Sequence, residues 1–138
     1  MPAAIVGVLL HVVATYAVNV LVVYTFDASG QNQQLATALA SGVHDAGTDN
    51  SVRLLAASAA NFRRDVAWAD VIALGSGVDN GSVMPELLQF IDSFDIMDSS
   101  LSHKVGGAFA TGGGAAAGLQ PVLEQINRAL LTLSLIHI

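Results

Sequence analysis

The chain contains no cysteine. Disulfides, thiolate metal sites and a cysteine nucleophile are therefore excluded. Cations are scarce as well: five Lys and Arg stand against eleven Asp and Glu, a formal net charge of −6. Nucleic-acid binding needs clustered cations that displace counterions from phosphates, so no nucleic-acid partner is expected. The adjacent pair Arg63 and Arg64 lies among Phe62, Asp65 and Trp68. It reads as a solvated face rather than a phosphate clamp, and Trp68 as packing. Asp92, Asp95 and Asp98 lack the alternating ligands, central glycine and closing glutamate of a calcium loop, and read as a solvated connection. With 53% hydrophobic and 12% charged residues in 138, the chain is long and apolar enough for one domain with a real core.

What is present is organised around Val18 to Ala36, VNVLVVYTFDASGQNQQLA. Val18 to Val23 is a short apolar, β-branched run, as a buried parallel strand would be. Asp27-Ala28-Ser29-Gly30-Gln31-Asn32 is a polar turn. Leu35, Leu39 and Val43 follow at helical spacing, predicting a helix packed on that strand through those residues. Between strand and helix lies a helix N-terminus, whose unpaired N–H groups and dipole favour an anion. The alternative is a tight strand-to-helix turn with no ligand.

The pattern repeats. Gly47 is placed to end the first helix as a C′ glycine, and Ser51 to Ala57 predicts a second strand. Asp70 to Gly75 predicts a third, running into the loop Ser76-Gly77-Val78-Asp79-Asn80-Gly81. Ser82 is the expected N-cap of the next helix, with Pro85 in its first turn and Leu87, Leu88, Ile91 and Phe94 on its apolar face. Lys104 to Ala110 predicts a fourth strand, ending in Thr111-Gly112-Gly113-Gly114 and, after three alanines, Gly118. A helix with Leu119, Leu123, Ile126 and Leu130 on one face follows. Strands alternating with helices predict a doubly wound parallel α/β sheet with right-handed crossovers. Ligands of such sheets sit beyond the C-terminal strand ends, where three small, polar, glycine-bearing loops converge here.

Residues 1–17 are apolar and uncharged. They are read as an N-terminal extension outside a domain of residues 18–132, and a cytoplasmic location is expected. The alternatives are a signal peptide, cleaved after Thr15-Tyr16-Ala17 but lacking a positive n-region, or a membrane segment reaching to residue 24. His11 lies here without a second ligand candidate. Residues 133–138 follow a helix without a stop signal and read as a tail, non-native or the stub of a further strand.

Three stretches, VLVVYTFDASGQNQQLA, ADVIALGSGVDNGSVMPELLQFID and LSHKVGGAFATGGGAAAG, together resemble the flavodoxin superfamily. Within it they are most similar to the tryptophan-repressor-binding-protein type of NAD(P)H:quinone oxidoreductase. The resemblance covers residues 18 to about 132. It implies a flavodoxin-like sheet of order 2-1-3-4, with the fifth strand missing or a stub. It implies bound FMN, its phosphate held by Asp27 to Asn32 and its ring flanked by Ser76 to Gly81 and by Thr111 to Gly114 with Gly118. It also implies NAD(P)H and a quinone as partners, and a homo-oligomer. Membrane contact would come only through the N-terminal segment.

The sequence departs from the family pattern at several points. Asp27 stands where a Ser or Thr is usual, Asn32 where a Thr is common, Gly77 where a proline is usual and Asn80 where an aromatic often packs. A late histidine used by such enzymes has no counterpart. Two further readings therefore stand beside the quinone reductase: a flavodoxin-type electron carrier, which the acidic balance suits, and a degenerate domain that has lost FMN. Asp27 decides much of this. Facing the pocket it repels a phosphate; turned outward it acts as a helix N-terminal anion.

Overall fold

The structure, a computed structural model, describes residues 17–114, 116–133 and 135–137. The expectations for residues 1–16 lie outside the described residues. In chain order the elements are β1 (Asn19–Tyr24), α1 (Gln31–Ala46), β2 (Ser51–Ala56), β3 (Val71–Asp79), β4 (Ser82–Val83), α2 (Pro85–Asp92), β5 (Val105–Thr111), α3 (Leu119–Thr132) and β6 (Ile136–His137). A π-helical turn at Phe62–Val66 and a 3-10 turn at Ser99–His103 fill two connections.

The sheet order is β2-β1-β3-β5-β6, with β4 paired to β3 off this path. All pairs along the path are parallel and β3–β4 is antiparallel. This is the predicted flavodoxin-like order. Of the two readings of the fifth strand, missing or a stub, the structure has the stub: after α3 the chain turns back, and β6 pairs with β5 at Val105↔Ile136 and Gly106↔His137. Leu133 and Leu135 are buried on the way.

One face of the sheet is covered by α2, α3 and the π-helical turn. Leu21, Val23, Ile72 and Leu74 meet Phe62, Val66, Leu87, Phe90, Val122, Ile126 and Leu130 there. Burying each large aliphatic side chain in that layer contributes about 1.5–3 kcal/mol. The other face packs Val20, Val22, Tyr24 and Phe109 with Ala36 of α1.

On α1 the sequence reading is corrected. Leu35 and Leu39 are 36% and 38% exposed. The buried positions of α1 are Asn32 and Ala36, with Val43 partly buried against the same cluster. The small alanine lets the helix axis approach the sheet, and Leu35, one position earlier, and Leu39, one turn further on, are turned off the contact. Gly47 ends α1 with φ −177°, an extended conformation, rather than in the left-handed region.

The connection after β3 is also corrected. Ser76 to Asp79 belong to the strand, and Asn80-Gly81 makes a hairpin turn to β4, with φ 49° and 78°. Positive φ at both central residues is the type I′ arrangement that Asn-Gly favours. Ser82 is therefore a strand residue. The N-cap of α2 is Met84, followed by Pro85 at the first helical position.

Arg63 and Arg64 are exposed, as expected of a solvated face, but Arg64 also pairs with a buried carboxylate. Asp65 is 1% exposed and accepts hydrogen bonds from Arg64 Nη2 at 2.9 Å, Arg53 Nη1 at 3.1 Å and the Asn61 N–H at 2.8 Å. The Arg53 guanidinium lies 4.1 Å from the centre of the Trp68 ring. Trp68 is thus packing, as expected, and Arg53 and Arg64 are committed to a buried carboxylate. Asp95 and Asp98 accept from the N–H groups of Met97 and Ser100, at 3.0 Å and 2.9 Å. Those bonds cap local turns.

Candidate flavin site

The first loop leaves β1 at Tyr24. Thr25, buried at the strand end, anchors it in two directions. Its N–H donates to Asn32 Oδ1 at 2.9 Å, and its hydroxyl accepts from the Gly77 N–H at 3.0 Å. The start of α1 is thereby tied to β1, and β1 to β3. The Gly30 N–H donates to the Asp27 carbonyl at 3.1 Å, closing a turn, and Gly30 (φ 71°) precedes α1 in the left-handed region. The second loop is fixed by Ser76, whose hydroxyl accepts from the Met84 N–H at 2.9 Å and donates to the Gly77 carbonyl at 2.6 Å. The third leaves β5 at Thr111.

A cavity of about 270 Å³ lies where the three meet, lined by Asp27, Ala28, Ser29, Gln31, Val78, Thr111, Gly112 and Gly113. The remaining sequence candidates are arranged around it. Asn32, Ser76 and Gly77 are buried, while Asp79, Asn80 and Gly81 form the exposed hairpin tip. Gly114 is exposed and Gly118 half-buried. A Cβ on Gly118 would sit 3.1 Å from Val78 Cγ1 and 3.2 Å from Gly81 Cα, so the third loop closes directly on the hairpin.

Thr25 and Met84 were not among the sequence candidates, yet they lock the loops together. The available signal was a threonine ending an apolar strand. A larger cavity, about 530 Å³, lies between the β2–β3 connection and α2, lined by Ser58, Asn61, Arg63, Glu86, Gln89 and others. It is off the strand-end rim where the loops converge. Among the described residues no group of three or more His, Asp or Glu could hold a metal. Also among the described residues, no helix is long and apolar enough to cross a membrane.

Asp27 faces inward. Its Oδ2 accepts from the Asn32 N–H at 3.4 Å and from the Thr111 hydroxyl at 3.3 Å. The carboxylate thus lines the cavity and caps α1 at once. The two outcomes that the sequence analysis held apart are combined in one rotamer.

An α/β sheet of flavodoxin order with three loops meeting at the strand ends defines the class: a flavodoxin-like protein with a candidate flavin site. The chain belongs to the NADPH-dependent FMN reductase family, whose model matches residues 39–137. No curated protein sequence matches the chain. Among solved structures it is similar to a short-chain flavodoxin associated with a non-canonical PDU bacterial microcompartment. The TM-score there is 0.73 at 19% identity, over 87% of this chain and 78% of that one. It is similar to an NADH:FMN oxidoreductase in its apo form, with TM-score 0.69 at 17% identity, over 87% and 71%. A WrbA-like flavodoxin from Agrobacterium tumefaciens gives TM-score 0.64 at 19% identity, over 86% and 75%.

FMN has two parts to accommodate. The cavity between Val78, Thr111 and the glycines offers a slot of small and apolar groups for a ring. The phosphate position does not fit as well. The Gly30, Gln31 and Asn32 N–H groups are engaged within the loop, by the Asp27 carbonyl, Ser29 Oγ and Asp27 Oδ2. The last two bonds are long, at 3.4 Å, and such bonds are weak. Charge is the larger obstacle: two like charges 4 Å apart repel by about 4 kcal/mol at an effective dielectric of about 20.

Proposed function

We propose that the chain is a flavin-dependent reductase that takes electrons from NAD(P)H and delivers them to a quinone. The observation that carries this reading is the convergence of three loops on one cavity in a chain of the FMN reductase family. A flavin, when bound, would supply the redox chemistry. The protein's own part is to bind and orient. Thr25 and Ser76 hold the strand ends rigid. Gly112 and Gly113 keep the β5 wall low. Val78 presents an apolar side chain to the slot.

The acceptor follows from the resemblance to the quinone-reductase type, and the second loop carries that resemblance. The hairpin at Asn80-Gly81 gives this loop a fixed outer wall, as a substrate pocket over a ring requires. The purified chain is to be supplied with flavin and NADPH or NADH, and nicotinamide oxidation followed with and without a quinone. Turnover that depends on flavin and is stimulated by quinone supports the reading. Flavin binding without turnover, and electron transfer only when a separate reductase is added, would make it a flavodoxin-type carrier instead.

A further inference from the structure

Resting on the flavin reading above, we infer that this site takes a flavin whose ribityl chain ends in a free hydroxyl, of the riboflavin type, in preference to FMN. The reason is that Asp27 already holds the anion position of the loop.

Three observations carry this. First, Asp27 is wedged in place. Its Oδ2 bridges the Asn32 N–H and the Thr111 hydroxyl at 3.4 Å and 3.3 Å. Behind it Gly77 packs so closely that a Cβ there would be 3.1 Å from Asp27 Cβ and 3.3 Å from Oδ2. A larger residue at position 77 would push the carboxylate out of this seat, and glycine leaves the space it needs.

Second, the cavity lining carries no cation. A phosphate here would meet a carboxylate with nothing to offset it. The helix N-terminus that would otherwise favour the phosphate is already serving Asp27.

Third, the unpaired oxygen of Asp27 matches a hydroxyl. Asp27 Oδ1 is a buried acceptor without a partner, and Asn32 Nδ2 is a buried donor without one. Asn32 itself is fully buried, at 0% exposure. Its amide orientation is set by the Thr25 N–H, which occupies Oδ1. Asn32 is not among the cavity-lining residues, whereas Asp27 is; a buried polar group without a partner is costly, so Asp27 Oδ1 favours a ligand that donates to it. A dianionic phosphate has only acceptors and leaves Asp27 Oδ1 unmet. An alcohol hydroxyl donates, and so has the chemistry for Asp27 Oδ1.

The test is a pair of fluorescence titrations, riboflavin and FMN, against the parent and Asp27→Asn. Riboflavin should bind the parent at least about tenfold tighter than FMN, and Asp27→Asn should bring the two within about threefold by removing the repelling charge. Should the variant fold poorly by circular dichroism, the parent alone decides through salt. Raising ionic strength from about 0.01 M to about 1 M shortens the Debye length from about 30 Å to about 3 Å. The gap should then narrow, with FMN gaining affinity and riboflavin holding its own. FMN binding the parent as tightly as riboflavin, or a ratio untouched by both Asp27→Asn and salt, overturns the inference and leaves the flavin reading standing. Binding of neither flavin removes that reading and the inference with it.

Discussion

The Phe109 ring lies flat against the backbone of Gly75. A Cβ built on Gly75 would fall 1.9 Å from Phe109 Cε2 and 2.0 Å from Cζ. The two residues are register partners on β3 and β5, and the missing side chain makes room for the ring on the face shared with α1. Gly75→Ala should therefore force the ring off its seat and cost about 1–3 kcal/mol. Phe109→Leu in the same chain should recover part of that loss, giving a coupling of about 0.5–3 kcal/mol in a double-mutant cycle by urea unfolding. Strictly additive effects would mean that the ring does not need the glycine.

The hairpin at Asn80-Gly81 sets the height of the wall beside the cavity. Gly81 has φ 78° and no heavy atom within 4 Å of its Cβ position. A substitution there has space but suffers backbone strain. Gly81→Val should cost about 1–2 kcal/mol from the left-handed backbone alone. Because Val78 lies two residues before the turn, flavin affinity should fall with it. A variant with native stability and native affinity would show that this turn is not strained as described.

Much of this was legible in the chain, and the misses have physical causes. The parallel α/β sheet followed from four apolar runs separated by helical spacing, its strand order from the flavodoxin resemblance, and the three loops from where those runs stop. The packing face of α1 is hard to read from sequence because the large residues Leu35 and Leu39 point to the wrong stripe. The tight approach uses Ala36 and Asn32 instead, a small residue and a polar one satisfied in part by the Thr25 N–H. The Asn-Gly hairpin signal was present, but Ser82 and Pro85 three residues apart looked like a helix start. The inward rotamer of Asp27 had no sequence signal at all. It depends on Thr111, 84 residues away.

The β5 edge yields a prediction about assembly. β6 pairs with β5 only at Val105 and Gly106. Among the described residues, Gly107 to Thr111 have no strand on that side. Unpaired edge backbone is a template for another chain, so we expect self-association that grows with concentration. Light scattering across a dilution series checks this. A constant monomer mass at the highest concentration would argue that the edge is covered in some other way.

The last prediction concerns acid stability and centres on Asp65. Burial pushes its carboxyl up, but the hydrogen bond from Arg64, the Asn61 N–H, the Arg64 charge and the bond from Arg53 outweigh this and hold it below the ordinary carboxylate range. A carboxyl lowered in the folded state contributes stability that is fully present above its unfolded value, about 3.9. That contribution is lost as pH falls through the lower folded value. Asp65→Asn keeps the shape and removes the charge, so at pH 7 it should cost about 1–3 kcal/mol. The difference between parent and variant should shrink as pH drops below about 4, because the parent then loses what the variant never had. Asp98 is lowered in the same direction, first by the Ser100 N–H. It is unchanged between parent and variant, so its effect cancels in the comparison. Urea midpoints of both proteins at neutral and at acid pH measure the gap. If it stays constant with pH, the Asp65 carboxylate does not draw its stability from those arginines.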